Sequence, residues 1–144
     1  MIIVDDGGRA AAGFKGATGD CVTRAIAIAA EMDYVTVYDA LNTMTAAHRR
    51  VGKQGSARTG IPKAITREYL ATLGWRWTPT MGIGTGCTVH ARRDELPSGR
   101  LVLKLSKHCV AMIDGVIHDT YDPTRNGTRC VYGYWQKETD NHGA

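Results

Sequence analysis

No stretch of this sequence is apolar for long enough to cross a bilayer. Its start, Met1-Ile2-Ile3-Val4 followed by Asp5-Asp6, lacks the basic-then-apolar order of a secretory signal. The expected setting is the cytoplasm, with no membrane partner. A strong charge imbalance is missing too: the net charge is +4 and the pI about 9.0, with cations scattered except in His48-Arg49-Arg50-Val51-Gly52-Lys53-Gln54-Gly55-Ser56-Ala57-Arg58. That run mixes basic residues with Gly and Ser and has no apolar period, so it reads as a connecting loop. With no nucleic-acid-reading motif beside it, nucleic acid is not the expected partner. Internal repeats and linkers are also absent. At 144 residues and 43% hydrophobic, the chain is expected to form one domain spanning 1–144, with residues 137–144 polar enough to fray.

Cysteine is sparse. Cys21, Cys87, Cys109 and Cys130 are widely spaced and no export signal precedes them, which favours reduced thiols over a disulfide framework. Cys87-Thr88-Val89-His90 has a metal-like spacing, and His108, Cys109, His118 and Cys130 are conceivable further ligands. No second closely spaced ligand pair accompanies it, so neither a metal nor another cofactor is expected. Cys130, among Val131, Tyr132, Tyr134 and Trp135, reads as core, as do Trp75, Trp77 and Trp135.

What is present is a helical first half and a strand-rich second half. Val22, Ala25, Ile26, Ala29 and Ala30 recur at helical spacing over 21–31, with Asp20 or Thr18 available as the cap. Tyr34, Val37, Tyr38, Leu41 and Met44 predict a second helix over 33–47. A third begins at Gly60-Ile61-Pro62 and stops at Gly74. Beyond it, Trp75-Arg76-Trp77-Thr78 alternates like an edge strand, 81–86 is a glycine-rich loop, and 101–105, 109–113, 116–121 and 130–135 read as strands. Asp114-Gly115 is a strong hairpin signal, and Asn126-Gly127 is expected to turn the last strand back on the others. The fold class is therefore α+β, N-terminal helices packed on a C-terminal antiparallel sheet of four or five strands.

The chemistry centres on Cys21, which opens the first helix in Thr18-Gly19-Asp20-Cys21-Val22. A thiol there meets the positive end of the helix dipole and free N–H groups, both of which favour the thiolate. His108 opens a strand far downstream. If Asp114-Gly115 is a two-residue turn, Ile113 faces Val116, Val110 faces Asp119 and His108 faces Tyr121, so His108 and Asp119 share one face and Cys109 takes the other. A three-residue loop would instead set Asp122 opposite His108. The two-residue turn is the commoner solution, and Asp122-Pro123 also suits the start of a turn, so Asp119 is preferred. His118 falls on the face away from Asp119 and reads as a half-exposed strand residue. Cys21 as nucleophile, His108 as base and Asp119 as the group fixing the imidazole make a candidate catalytic set, with the Cys21 N–H contributing to an oxyanion hole.

Gly19-Asp20-Cys21-Val22-Thr23-Arg24-Ala25 and the segment from His108-Cys109-Val110-Ala111-Met112-Ile113 through Asp114-Gly115 to Val116-Ile117-His118-Asp119-Thr120 follow the order Cys on a leading helix, His opening a strand, Asp on the adjacent strand. In that order the chain resembles the papain-like cysteine peptidases in a small prokaryotic or phage form. The resemblance implies a papain-like fold and a thiol hydrolase that cleaves a peptide or isopeptide bond in a protein or peptide substrate. It equally admits an acyltransferase or deamidase using the same triad, or a binding protein on that scaffold, such as a phage factor that occupies a host protein. Papain-like enzymes commonly carry an oxyanion glutamine shortly before the nucleophile, and Gly13-Phe14-Lys15-Gly16-Ala17-Thr18 has none. Thr18 is the favoured substitute, with Lys15 or a backbone N–H as the others, and the basic loop within 48–58 is placed to border the cleft.

Overall fold

Apolar residues at helical spacing form α1 (Cys21–Ala29), α2 (Tyr34–Ala47) and α3 (Lys63–Thr72), the three α-helices among the described residues of the computed structural model, which are 2–14, 19–47, 60–82 and 84–137. Their buried faces, including Ile26, Val37, Leu41 and Leu70, merge with Val102, Ala111 and Trp135 of the sheet into one apolar cluster. The third helix starts as its sequence dictates, with Pro62 preceding its first turn, and Gly74 at φ +88° ends the segment in the left-handed region that suits glycine. No helix among the described residues is long and apolar enough to cross a membrane.

Among the described residues the sheet has six strands in the order β1-β5-β4-β3-β6-β2. These are β1 (Ile2–Val4), β2 (Trp75–Pro79), β3 (Arg100–Leu105), β4 (His108–Ile113), β5 (Val116–Asp119) and β6 (Gly133–Lys137). The α+β class holds, but the sheet is mixed: β1, which the sequence reading omitted, pairs parallel with β5, while the other neighbours are antiparallel. The last strand also begins three residues later than expected and inserts between β3 and the edge strand β2. Gly133 sets that placement, because the Trp77 ring lies over its backbone where any side chain would collide.

Alternation along β4 divides the core. Cys109 and Ala111 point to the helices, whereas Val110 and Met112 join Leu101, Leu103, Leu105 and Ile117 in a second cluster on the opposite face. Ala91 and Val131 cover that second face from the segments around His90 and Cys130, which meet in an isolated antiparallel bridge. There the expected reduced thiols are corrected: Cys87 and Cys130 form a disulfide, with Cα atoms 5.8 Å apart, and Cys130 is half-buried rather than core. Widely separated cysteines gave no sequence signal for this pairing, because only the tertiary bridge between His90 and Cys130 brings the two together.

Candidate active site

Two short connections place the candidate residues. Lys107, at φ +55°, closes the turn from β3, and His108 follows as the first residue of β4, paired with Leu105. At the other end of β4, Asp114 and Gly115 have φ of +49° and +81°, the signature of a two-residue type I′ turn. Ile113 pairs with Val116 and Ala111 with His118. That register sets His108 and Asp119 on one face at a diagonal, as the two-residue turn requires.

His108 and Asp119 are both buried, and His108 Nε2 lies 2.7 Å from Asp119 Oδ2. A carboxylate only accepts, so Nε2 carries the proton and Nδ1 is the nitrogen left for Cys21. Asp119 is itself held: its Oδ1 accepts the Thr120 N–H at 2.7 Å and an Arg24 guanidinium N–H at 3.4 Å. Asp122 has no part in this arrangement. Its carboxylate accepts the Thr124 N–H and hydroxyl at 2.9 and 2.7 Å, which closes a turn and holds its pKa below the ordinary value. His118 is half-buried with Nδ1 4.0 Å from Asp5, and its strand position alternates with that of Asp119.

Cys21 is the first residue of α1 and is half-buried. Hydrogen bonding with Cys109 is the largest influence on its thiol, and that with His108 and the imidazolium charge adds to it. Together they outweigh burial and pull the pKa down to about 4. The Cys109 thiol moves the opposite way, well above its ordinary value, because it donates to the Cys21 thiolate and is buried. For His108, burial favours the neutral ring, but the hydrogen bonds to Asp119 and Cys21 and their negative charges win, and its pKa is raised. Both shifts favour the thiolate–imidazolium form of the pair. Cys21, His108, Lys104, Lys107 and Tyr121 line a cleft of about 370 Å³, with the exposed Tyr121 ring 5.5 Å from the imidazole.

A buried polar cluster beneath the helix start escaped the sequence reading. Asp20 was expected as a cap, yet its side chain makes no cap hydrogen bond. Instead it is fully buried, accepts the Tyr34 hydroxyl at 2.6 Å, and pairs with Arg9 at 3.3 Å and with Arg24. Arg24 therefore links the residue before Cys21 to the carboxylate that holds the histidine. Spacing offered a partial signal, since Asp20 and Arg24 stand one helical turn apart. Because Asp20 is engaged elsewhere, its carboxylate does not cap the first turn of α1. Thr18, Lys15 and the basic loop within 48–58 lie outside the described residues. No family model, curated protein or solved structure matches the chain.

Proposed function

We propose that this chain is a cysteine hydrolase of papain-like architecture that cleaves an amide bond, peptide or isopeptide, through a thioester on Cys21. The observation that carries the reading is the convergence of a low-pKa thiol, an imidazole and a buried carboxylate from three elements in one cleft. In this mechanism the Cys21 thiolate attacks the carbonyl carbon, and the π electrons move to oxygen, where the Cys21 N–H at the start of α1 contributes to receiving the oxyanion. Collapse breaks the C–N bond, the leaving amine takes the Nδ1 proton of His108, and the acyl group remains on sulfur. Water then attacks the thioester and gives a proton to Nδ1, and the C–S bond breaks. Asp119 holds the ring in the tautomer that leaves Nδ1 available throughout.

A protein or peptide is the substrate class, and the cytoplasm is the proposed compartment. An acyltransferase or deamidase shares every step up to the acyl-enzyme and differs in the acceptor or in the leaving ammonia. The test is iodoacetamide alkylation across pH, read by mass spectrometry at Cys21 and Cys109, in the native chain and in His108→Ala. Cys21 is expected to react fully at pH 6 and to lose part of that advantage without His108. A Cys21 that titrates as an ordinary thiol, near pH 8.5, in both proteins would sink the hydrolase reading.

A further inference from the structure

On the face of the sheet away from the helices, the two segments that cover the second core carry a cluster that the proposed hydrolysis does not use. Cys87 Sγ lies 3.4 Å from His90 Nε2, and the backbone bridge sets Cys130 directly across from His90. The ligand-type atoms of Cys87, His90 and Cys130 all lie within 4.8 Å of one another. In a tetrahedral zinc site, with bonds of about 2.0–2.3 Å, neighbouring donors stand roughly 3.3–3.8 Å apart, so the Cys87–His90 separation already matches coordination spacing, and the two sulfurs become free to reach it once their bond is reduced.

The imidazole is also oriented for the task. His90 Nδ1 lies 3.0 Å from Glu95 Oε1, and the same carboxylate oxygen accepts the His90 backbone N–H at 2.9 Å. A carboxylate at Nδ1 requires the proton there, which leaves the Nε2 lone pair directed at the sulfurs. Carboxylate, histidine and metal in line is the usual outer support of a zinc-bound imidazole. Two thiolates and a neutral imidazole also balance a divalent cation, and the donor set of two sulfurs and one nitrogen selects a borderline-soft ion over Mg²⁺ or Ca²⁺.

We propose that, when the Cys87–Cys130 disulfide is reduced, Cys87, His90 and Cys130 form a binding site for a divalent cation of the Zn²⁺ class, with Glu95 orienting His90. The chemistry balances in two steps. A dithiol reductant gives two electrons and two protons to the disulfide, yielding two protein thiols and an oxidised reductant. The cation then displaces the two thiol protons and forms two metal–sulfur bonds and one metal–nitrogen bond, and the fourth position takes water. The oxidised chain keeps the disulfide and has no thiolates to offer at this place. A reducing compartment thus favours the metal-bound form and an oxidising one the crosslink, with the same residues holding the covering segments together in both.

The test uses the full chain carrying Cys21→Ser, which removes the half-buried thiol of the candidate active site, so the outcome is independent of any hydrolase activity. Co²⁺ is titrated into the reduced and oxidised protein and followed by absorption, and Zn²⁺ competition then gives the affinity. The reduced protein is expected to take one Co²⁺ with thiolate-to-metal charge-transfer bands and tetrahedral ligand-field bands, and the oxidised protein none. His90→Ala should abolish the tetrahedral spectrum, and Glu95→Gln should weaken affinity by about 10-fold with the spectrum unchanged. Reduced protein without the charge-transfer bands, or His90→Ala binding Co²⁺ as well as its parent, would overturn the proposal. Since both variants leave the cysteines in place, circular dichroism of the oxidised forms establishes that they fold.

Discussion

The thiol of Cys109, which strand alternation sends to the face opposite that of His108, is the largest single influence on the Cys21 thiolate. Its hydrogen can be deleted with little change of shape. Cys109→Ala is therefore expected to raise the Cys21 pKa from about 4 towards the ordinary thiol range, whereas Cys109→Ser, which keeps an O–H donor, should restore much of the depression. The proposed hydrolysis needs Cys21 deprotonated and His108 protonated. The rate of the native chain should thus fall as pH drops through about 4, where the thiolate gains its proton, and fall again above the raised pKa of His108, where the imidazolium loses its own. Profiles of kcat/KM, or of Cys21 alkylation for the acid limb alone, check both statements. In Cys109→Ala the acid limb moves up in pH. Arg24 offers a separate residue-scale test. Replacing it with Leu leaves the buried carboxylates of Asp20 and Asp119 without a shared cation, which should cost about 3 kcal/mol in chemical denaturation. Arg24→Lys keeps the charge and should recover part of the loss. That Cys21, His108 and Asp119 lie together was legible because helix start, strand start and turn length each leave a local trace. Asp20, Arg9 and Tyr34 were not, because an Asp before a helix reads as a cap unless the tertiary cations that claim it are known.

Elements formed where a local pattern decided them and shifted where a distant neighbour did. Helical spacing located α1, α2 and α3 to within about two residues, and Asp114-Gly115 fixed the β4–β5 register that joins His108 to Asp119. Strand β1 is three residues long, half exposed, and paired with β5 more than a hundred positions away, so no window of sequence contains the reason for it. Strand β6 begins past Cys130 because Trp77 of β2 pairs with Trp135, the centroids of their tilted rings 4.4 Å apart, while the Trp77 ring covers the Gly133 backbone. A Cβ on Gly133 would come within 2.3 Å of the Trp77 ring and 2.8 Å of the Thr78 carbonyl oxygen. Gly133→Ala is accordingly expected to lower stability by about 1–3 kcal/mol, seen as an earlier urea midpoint with an unchanged slope. A midpoint equal to that of the native chain would mean that β2 moves aside freely, contrary to the packing described.

Across the whole molecule, the sheet separates two kinds of cysteine chemistry. Cys21 and Cys109 meet on the helix-facing side, while Cys87 and Cys130 tie together the segments that cover the other face. The crosslink spans 43 positions, and closing a loop of that size in the unfolded chain is worth about 4 kcal/mol by chain entropy. The covering segments supply Ala91 and Val131 to the second core, so opening the crosslink acts on the stability of the sheet itself. None of the four disulfide and metal-site residues lines the Cys21 cleft. Treatment with a dithiol is therefore expected to lower the thermal midpoint by about 10 °C while leaving the pH dependence of Cys21 alkylation unchanged. Adding Zn²⁺ to the reduced chain should return a large part of that midpoint, because a cation bound only by the folded state stabilises it by mass action. Scanning calorimetry of the oxidised, reduced and Zn²⁺-loaded forms measures all three. If Zn²⁺ raises the midpoint of the oxidised form equally, it binds somewhere other than the cysteine pair.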